Sequence, residues 1–360
     1  MIKKEHKKFS KKSYDSFILG GDIGGTNTNL GVFGIKNSFP KLLVSFHFKS
    51  KGLKDLYSAI EEAIDCIWKD YGIKITLYSL GIAGALSYKK DHVRLTNANL
   101  GFSKKIALKK FGIKKIILMN DFEAVGYGIC LLSRKDIHVI KNGKKIPKAP
   151  VLVIGAGTGL GKTLLVYNEN CGFHVPLPSE VHHSDFAAQT IFELDLVKFI
   201  KQYRSIKQNV SNGDILSGDG LINIYMFLRS RKRHKETKFT KEIDKSEFKA
   251  ELISKYRKVD ASCKETFGIF KKSYARFAKN LALDGMALGG IYIAGGIASK
   301  NREIFDEEFV KIFESNQRMS NILREIPIYL VLNYDVGLLG AGFAGSRFLI
   351  GSIQGTQRTK

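Results

Sequence analysis

The sequence predicts an α/β fold in two domains, and three observations predict it. Strand-like apolar runs alternate with amphipathic helical stretches from residue 17 to the end of the chain, the pattern of an α/β architecture. A strand–glycine turn–strand device occurs twice, with Gly25-Thr26 and Gly157-Thr158 superposing at an offset of 132 residues. At 360 residues the chain also exceeds the roughly 250–300 residues that one core serves.

The elements follow in order. Residues 1–16, beginning MIKKEHKKFSKK, are rich in lysine and lack the apolar h-region of a secretory signal, so a disordered basic leader is expected. Phe17–Gly21 and Asn29–Val32 flank the first glycine turn as strands. Leu53, Leu56, Ile60, Ala63, Ile64 and Ile67 fall at three- and four-residue spacings, which predicts a helix over 52–70. Residues 75–86 and 114–122 read as buried strands, and the pattern turns helical from Glu123. A polar hairpin-like linker at 141–150 leads into the second device at 151–167. Helical patterns at 186–203 and 264–288 precede a buried strand at 289–299 that contains a double glycine. A strand at 326–332 and a small-residue helix at 337–350 close the chain.

Composition narrows the class. The chain is 44% hydrophobic and 26% charged, and no uninterrupted apolar run reaches the ~18 residues of a membrane span, so a soluble, membrane-free protein is expected. Cys66, Cys130, Cys171 and Cys263 are far apart with no C-x-x-C pair, which fits neither a disulfide framework nor a zinc site and suits a reducing cytoplasm. The formal charge of +24 raises the question of nucleic acid. Lysines are spread along the whole chain, however, and the two basic clusters are residues 3–12 and Arg229–Lys241. The second carries one aromatic, Phe239, and so offers no stacking platform. Solvated faces are the expected reading, and nucleic acid is not an expected partner.

The glycine turns suggest phosphate. Backbone N–H groups can approach a phosphate chain only where no side chain intervenes. The first turn, Gly21, Asp22, Ile23, Gly24, Gly25, Thr26 and Asn27, adds a carboxylate able to hold Mg²⁺ directly or through water. A plain hairpin is the competing reading. The second turn contains Gly155, Gly157, Thr158 and Gly159, and its Gly161-Lys162-Thr163 comes close to a Walker A loop. The following Thr163–Tyr167 is β-rich, so the helix that a Walker loop needs is not expected.

Asp121 follows a buried strand at its carboxyl end, where α/β sheets present residues to a crevice, and could act as a general base. The alternative is a helix cap by Asn120 or Asp121. In the loop 178–185, Glu180, His183 and Asp185 are suited to bracketing hydroxyls. Adjacent His182 and His183 without a nearby cysteine argue against zinc, and no G-x-S-x-G elbow supports a hydrolase.

Taken together, GDIGGTN (21–27), LTNANLGFS (95–103), NDFEAV (120–125), VIGAGTGLGKTLLV (153–166), LPSEVHHSDFA (177–187), ILSGDGLINIY (215–225), IYIAGGIASK (291–300) and IPIYLVLNYDVGLLGAG (326–342) resemble the bacterial glucokinase family over nearly the full chain. The resemblance implies the two-domain actin-like, hexokinase-type fold, with ribonuclease H-like sheets and an interdomain cleft. Its small domain would be 17–131, completed by 338–360, and its large domain 132–337. It implies ATP and Mg²⁺ as cofactors, glucose or a related hexose as substrate, and ATP-dependent phosphorylation of the 6-hydroxyl as first step of glycolysis. By the same resemblance Asp121 is the catalytic base, and Asn97, Asn120, Glu180 and His183 meet the sugar. Gly21–Asn27 and Gly155–Gly159 hold phosphates, and Gly295 and Gly296 approach the adenosine. A homodimer is compatible with the likeness.

Two departures stand out. The family's Glu-Gly-Gly-His is here Glu180-Val181-His182-His183, and its sugar-contacting Glu before the Leu-Ser-Gly segment is Gly213, with Asp214 beside it as a shorter substitute. The cysteine-rich zinc motif of related repressor and open-reading-frame kinases is absent, which favours the zinc-free branch. The rival readings are a kinase for another hexose, a non-catalytic sugar or nucleotide sensor, and an actin-like ATPase.

Overall fold

The computed structural model describes residues 1–84, 86–87, 89–95 and 100–357, with side chains through 349. Fourteen strands run along the described chain: β1 (Ile2–Glu5), β2 (Ser16–Ile23), β3 (Asn27–Lys36), β4 (Phe39–Lys49), β5 (Leu77–Ile82), β6 (His92–Arg94), β7 (Gly101–Ser103), β8 (Ile116–Asn120), β9 (Ile137–Lys141), β10 (Val151–Ala156), β11 (Leu160–Asn168), β12 (Phe173–Leu177), β13 (Ile291–Ala294) and β14 (Ile328–Val331). The chain divides into two units. The first comprises residues 1–133, 174–178 and 333–360, and the second 134–173 and 179–332.

The first unit is built on a six-stranded sheet of order β1-β4-β3-β2-β5-β8. β2 pairs antiparallel with β3 and parallel with β5, and β5 pairs parallel with β8. β5 is buried at every residue, as a strand covered on both faces must be. The helix Leu56–Tyr71 buries Leu56, Ala59, Ile60, Ala63 and Ile67. Asp55 begins it by accepting the Ser58 N–H, and Gly72 ends it in the left-handed conformation that glycine adopts without strain.

The helix Val336–Gln357 packs against β2 and the helix Asp121–Ile129. A Cβ at Gly340 would collide with the Ala124 carbonyl, and one at Gly342 with the Phe33 ring, so the glycines set how closely this helix seats. The small-residue pattern at 337–350 thus marks a packing surface.

The second unit repeats the device on the strands β11-β10-β13-β14-β9. β10 pairs antiparallel with β11 and parallel with β13, and β13 pairs parallel with β14. The succession β11-β10-β13-β14 therefore has the strand directions of β3-β2-β5-β8, and the short likeness around the two glycine turns extends to a shared sheet topology. Helices from Ile191 to Glu325 contribute Leu196, Tyr225, Phe270, Tyr274 and Phe309 to this unit's core, all fully buried.

Two expectations are corrected. The leader is an ordered part of the sheet, because β1 pairs antiparallel with β4 from Ile2↔His47 to Glu5↔Val44. Its side chains are held too. Lys3 binds Asp70 at 2.7 Å, Glu5 accepts from the Tyr71 hydroxyl, and Phe9 packs on Tyr71 at 5.1 Å. The linker at 141–150 begins inside β9, which pairs antiparallel with β14 and covers that edge of the second sheet.

Candidate active site

In the first unit the glycine turn closes the β2–β3 hairpin. Gly24 N–H donates to the Asn27 carbonyl at 2.9 Å, and the Ser50 hydroxyl donates to the Gly24 carbonyl at 2.6 Å. Lys49 holds the Asn27 side-chain oxygen at 2.9 Å. Gly25 and Thr26 lie between the strands, and their N–H groups have no partner among the described residues. Two backbone donors at a turn with little side-chain bulk form an anion cradle.

Asp22 sits on β2 directly beneath that turn, opposite Asn29 of β3. No hydrogen bond or cation engages its carboxylate among the described residues. Gly337 approaches so closely that a Cβ there would stand 2.9 Å from the Asp22 carboxyl carbon. Burial, and then the neighbouring charges of Asp121 and Asp335, push this carboxyl up to about 7. A buried carboxylate under the charge of two others, with no cation on it among the described residues, fits Mg²⁺, which takes one or two carboxylates and otherwise keeps water or phosphate oxygens.

Asp121 opens the helix that follows β8. The capping alternative is settled in favour of Asn120, whose side-chain oxygen accepts the Phe122 N–H at 2.8 Å, while Glu123 accepts the Asn120 N–H at 2.8 Å. Glu123 is buried and bound to Lys90 at 2.8 Å, which anchors the capping box. Asp121 Oδ1 shares that Phe122 N–H at 2.9 Å. It is half-buried at the carboxyl end of a parallel strand, within electrostatic reach of Asp22. Asn97 lies outside the described residues.

In the second unit the corresponding turn closes the β10–β11 hairpin, where Ala156 pairs with Leu160. Gly157 N–H donates to the Gly159 carbonyl at 2.8 Å. The N–H groups of Thr158 and Gly159 have no partner among the described residues, so this turn repeats the first one's pair of donors. The strand runs on through Lys162, which lies 3.7 Å from Asp284, and the Walker A likeness is thus an antiparallel hairpin. Gly295, at φ 92°, stands against the Ala156 carbonyl with no room for a side chain, and Gly296 beside it faces open space.

The loop after β12 presents Glu180 and His183, both exposed, and no side-chain hydrogen bond occupies either among the described residues. Val181 turns into the core. Asp214 does not offer the free carboxylate expected of a substitute for the missing Glu. Its Oδ2 accepts the N–H and the hydroxyl of Ser211, both at 2.7 Å, so the side chain folds back on its own loop.

Sequence reading missed His182. Its Nδ1 accepts the Leu160 N–H at 3.1 Å, and its ring covers Gly213. The signal was present as two unexplained departures, one at His182 and one at Gly213, but their contact spans 31 residues of chain.

Each unit carries the strand–turn–strand and parallel-strand topology of the actin-like fold used by sugar kinases, with a phosphate-type turn at its head. A family model described as Glucokinase matches residues 19–347. Among relatives, the glucokinase of Nostoc punctiforme is 34% identical over 92% of this chain and 99% of its own, and that of Pectobacterium atrosepticum is 32% identical over 93% and 98%. The crystal structure of a glucokinase from an Antarctic psychrotroph superposes with a TM-score of 0.75 at 25% identity, covering 92% of this chain and 98% of its own. The chain belongs to the glucokinase family.

Proposed function

We propose that this chain transfers the γ-phosphoryl group of ATP to the 6-hydroxyl of glucose, giving glucose 6-phosphate and ADP. The observation that carries the reading is the pairing of Asp121 with Asp22 in the first unit, a candidate base whose charge, after burial, helps to raise a candidate metal carboxylate. The names of the relatives support glucose as the acceptor.

Asp121 accepts the proton of the sugar hydroxyl as its oxygen forms a bond to the γ-phosphorus. The bond from that phosphorus to the β–γ bridging oxygen breaks, and its electron pair leaves with ADP. The N–H groups of Gly25, Thr26, Thr158 and Gly159 bind phosphate oxygens, and Gly295 and Gly296 leave room for the adenosine. Asn120 caps its helix through its oxygen and keeps its amide NH₂ for a sugar hydroxyl. Glu180 and His183 supply an acceptor and a donor to others. Asp22 would hold Mg²⁺, which when bound neutralises charge on the phosphate oxygens.

The four cysteines, none in a disulfide, accord with a reducing cytoplasm. No helix of the described residues is long and apolar enough to cross a membrane. The homodimer expected from the family likeness is checked by light scattering.

The test is ADP release with glucose, mannose, fructose or N-acetylglucosamine, and with no sugar. Turnover that depends on glucose is expected. Sugar-independent turnover, or none with any sugar, overturns the kinase reading. A clear preference for another hexose would instead reflect the occupied Asp214 carboxylate and the missing side chain at Gly213.

A further inference from the structure

His182 combines three features. Its Nδ1 accepts a backbone N–H from Leu160, the residue that ends the second glycine turn. Its own backbone carbonyl accepts the Gly213 N–H at 2.9 Å. Its ring occupies the space above Gly213 so fully that a Cβ there would lie 2.5 Å from Nδ1 and closer still to Cε1 and Nε2. One residue therefore ties the Glu180–His183 loop, the 211–214 segment and the phosphate-type turn together within the second unit.

The hydrogen bond also fixes the tautomer. A nitrogen that accepts an N–H carries no proton, so a neutral ring holds its proton on Nε2. Burial, and then the adjacent His183, lower the His182 pKa and so favour the neutral ring. The Nε2–H has no partner among the described residues, and the ring is only half-buried, in the same loop as the exposed Glu180 and His183. Leaving a half-buried donor unpaired costs stability unless a ligand or water completes it.

We propose that His182 is a substrate-contacting residue of this chain, its Nε2–H donating to a hydroxyl of the bound hexose while its Nδ1 holds the second phosphate turn. This rests on the sugar-kinase reading above. In this chain the contact is a donor, whereas a carboxylate reaching from position 213 would be an acceptor. The sugar oxygen that meets it must therefore accept a hydrogen bond. The same ring then transmits the seating of the sugar to the turn that carries Thr158 and Gly159.

The test is a panel of glucose and its 2-, 3- and 4-deoxy derivatives, assayed with the wild-type chain and with His182→Phe and His182→Gln. Wild-type turnover with glucose comes first, because its absence overturns the kinase reading itself. Phe keeps the ring and removes both nitrogens. It is expected to raise KM for glucose about 3- to 10-fold, the equivalent of one neutral hydrogen bond. For one deoxy sugar, the one lacking the contacted hydroxyl, wild type and Phe variant should give the same KM. His182→Gln, which keeps a donor, should recover part of the loss and serves as the readable variant if Phe fails to fold. A KM increase equal for all four sugars, or no change for any, shows that His182 only packs the loop and overturns the proposal.

Discussion

Asp121 shares the start of its helix with its neighbour. Asn120 supplies the cap and Glu123 closes the box, while Asp121 Oδ1 shares the Phe122 N–H at 2.9 Å, a bond that an asparagine oxygen also accepts. Asp121→Asn should therefore leave the thermal unfolding midpoint nearly unchanged while lowering kcat by about 10²- to 10⁴-fold, the usual cost of removing a general base. Steady-state kinetics beside a melting curve check both halves. Asp22 makes a different prediction. Its folded-state pKa of about 7 lies above the ordinary carboxylate value of 3.8, so the folded chain holds an extra proton between those limits. Stability without nucleotide should fall as pH rises from about 4 to about 7, and level off above. Binding of Mg²⁺ with nucleotide favours the charged carboxylate, so it should expel roughly half a proton at pH 7 and tighten as pH rises through 7. Calorimetry in two buffers of different ionisation enthalpy measures that release directly.

Individual elements show where sequence reading succeeds and where it stops. β2, β5, β8, β10, β13 and β14 were legible because central strands are apolar throughout and end in glycine or polar residues. β1 was not, since IKKE carries one apolar residue and owes its shape to the edge of β4 and to Asp70 and Tyr71, which lie far along the chain. Asp121 and the two turns were legible as local motifs. The role of His182 was not, because it exists only where Leu160, His182 and Gly213 meet. That meeting makes Gly213→Glu informative. The new side chain would drive into the His182 ring, and the variant should lose about 1–3 kcal/mol of stability, as overpacked sites do, by urea denaturation. Pairing it with His182→Gly should recover most of the loss, and a double-mutant cycle reads the coupling.

For the whole molecule, the charge of +24 is a property of composition more than of any one patch. In the run that looked most like a nucleic-acid site, the arginines are held by carboxylates. Arg229 binds Glu236 at 2.7 Å and Asp244 at 3.4 Å, Arg231 binds Asp195 at 2.9 Å, and Arg233 and His234 share Glu265 at 2.8 and 2.5 Å. A phosphate would have to displace these carboxylates to reach the arginines. A short DNA duplex should therefore bind no more tightly than about 10⁻⁵ M at 150 mM salt and weaken steeply with more, as non-specific contacts do. Fluorescence anisotropy decides it, and nanomolar binding of a preferred sequence would contradict the charge pairing seen here.

The strand β1 bears on how the molecule is made. It precedes β2 and β3 in the chain, yet its partners Val44–His47 belong to β4, synthesised only after them. β1 must stay unpaired while the β2–β3–β4 meander forms, and then close onto its outer edge, the edge away from β5 and β8. The lysines at 3, 4, 7 and 8 suit that waiting period, since like charges keep an unpaired strand from joining another chain's edge. What reads in sequence as a tail is, in order of assembly, the strand that closes the meander.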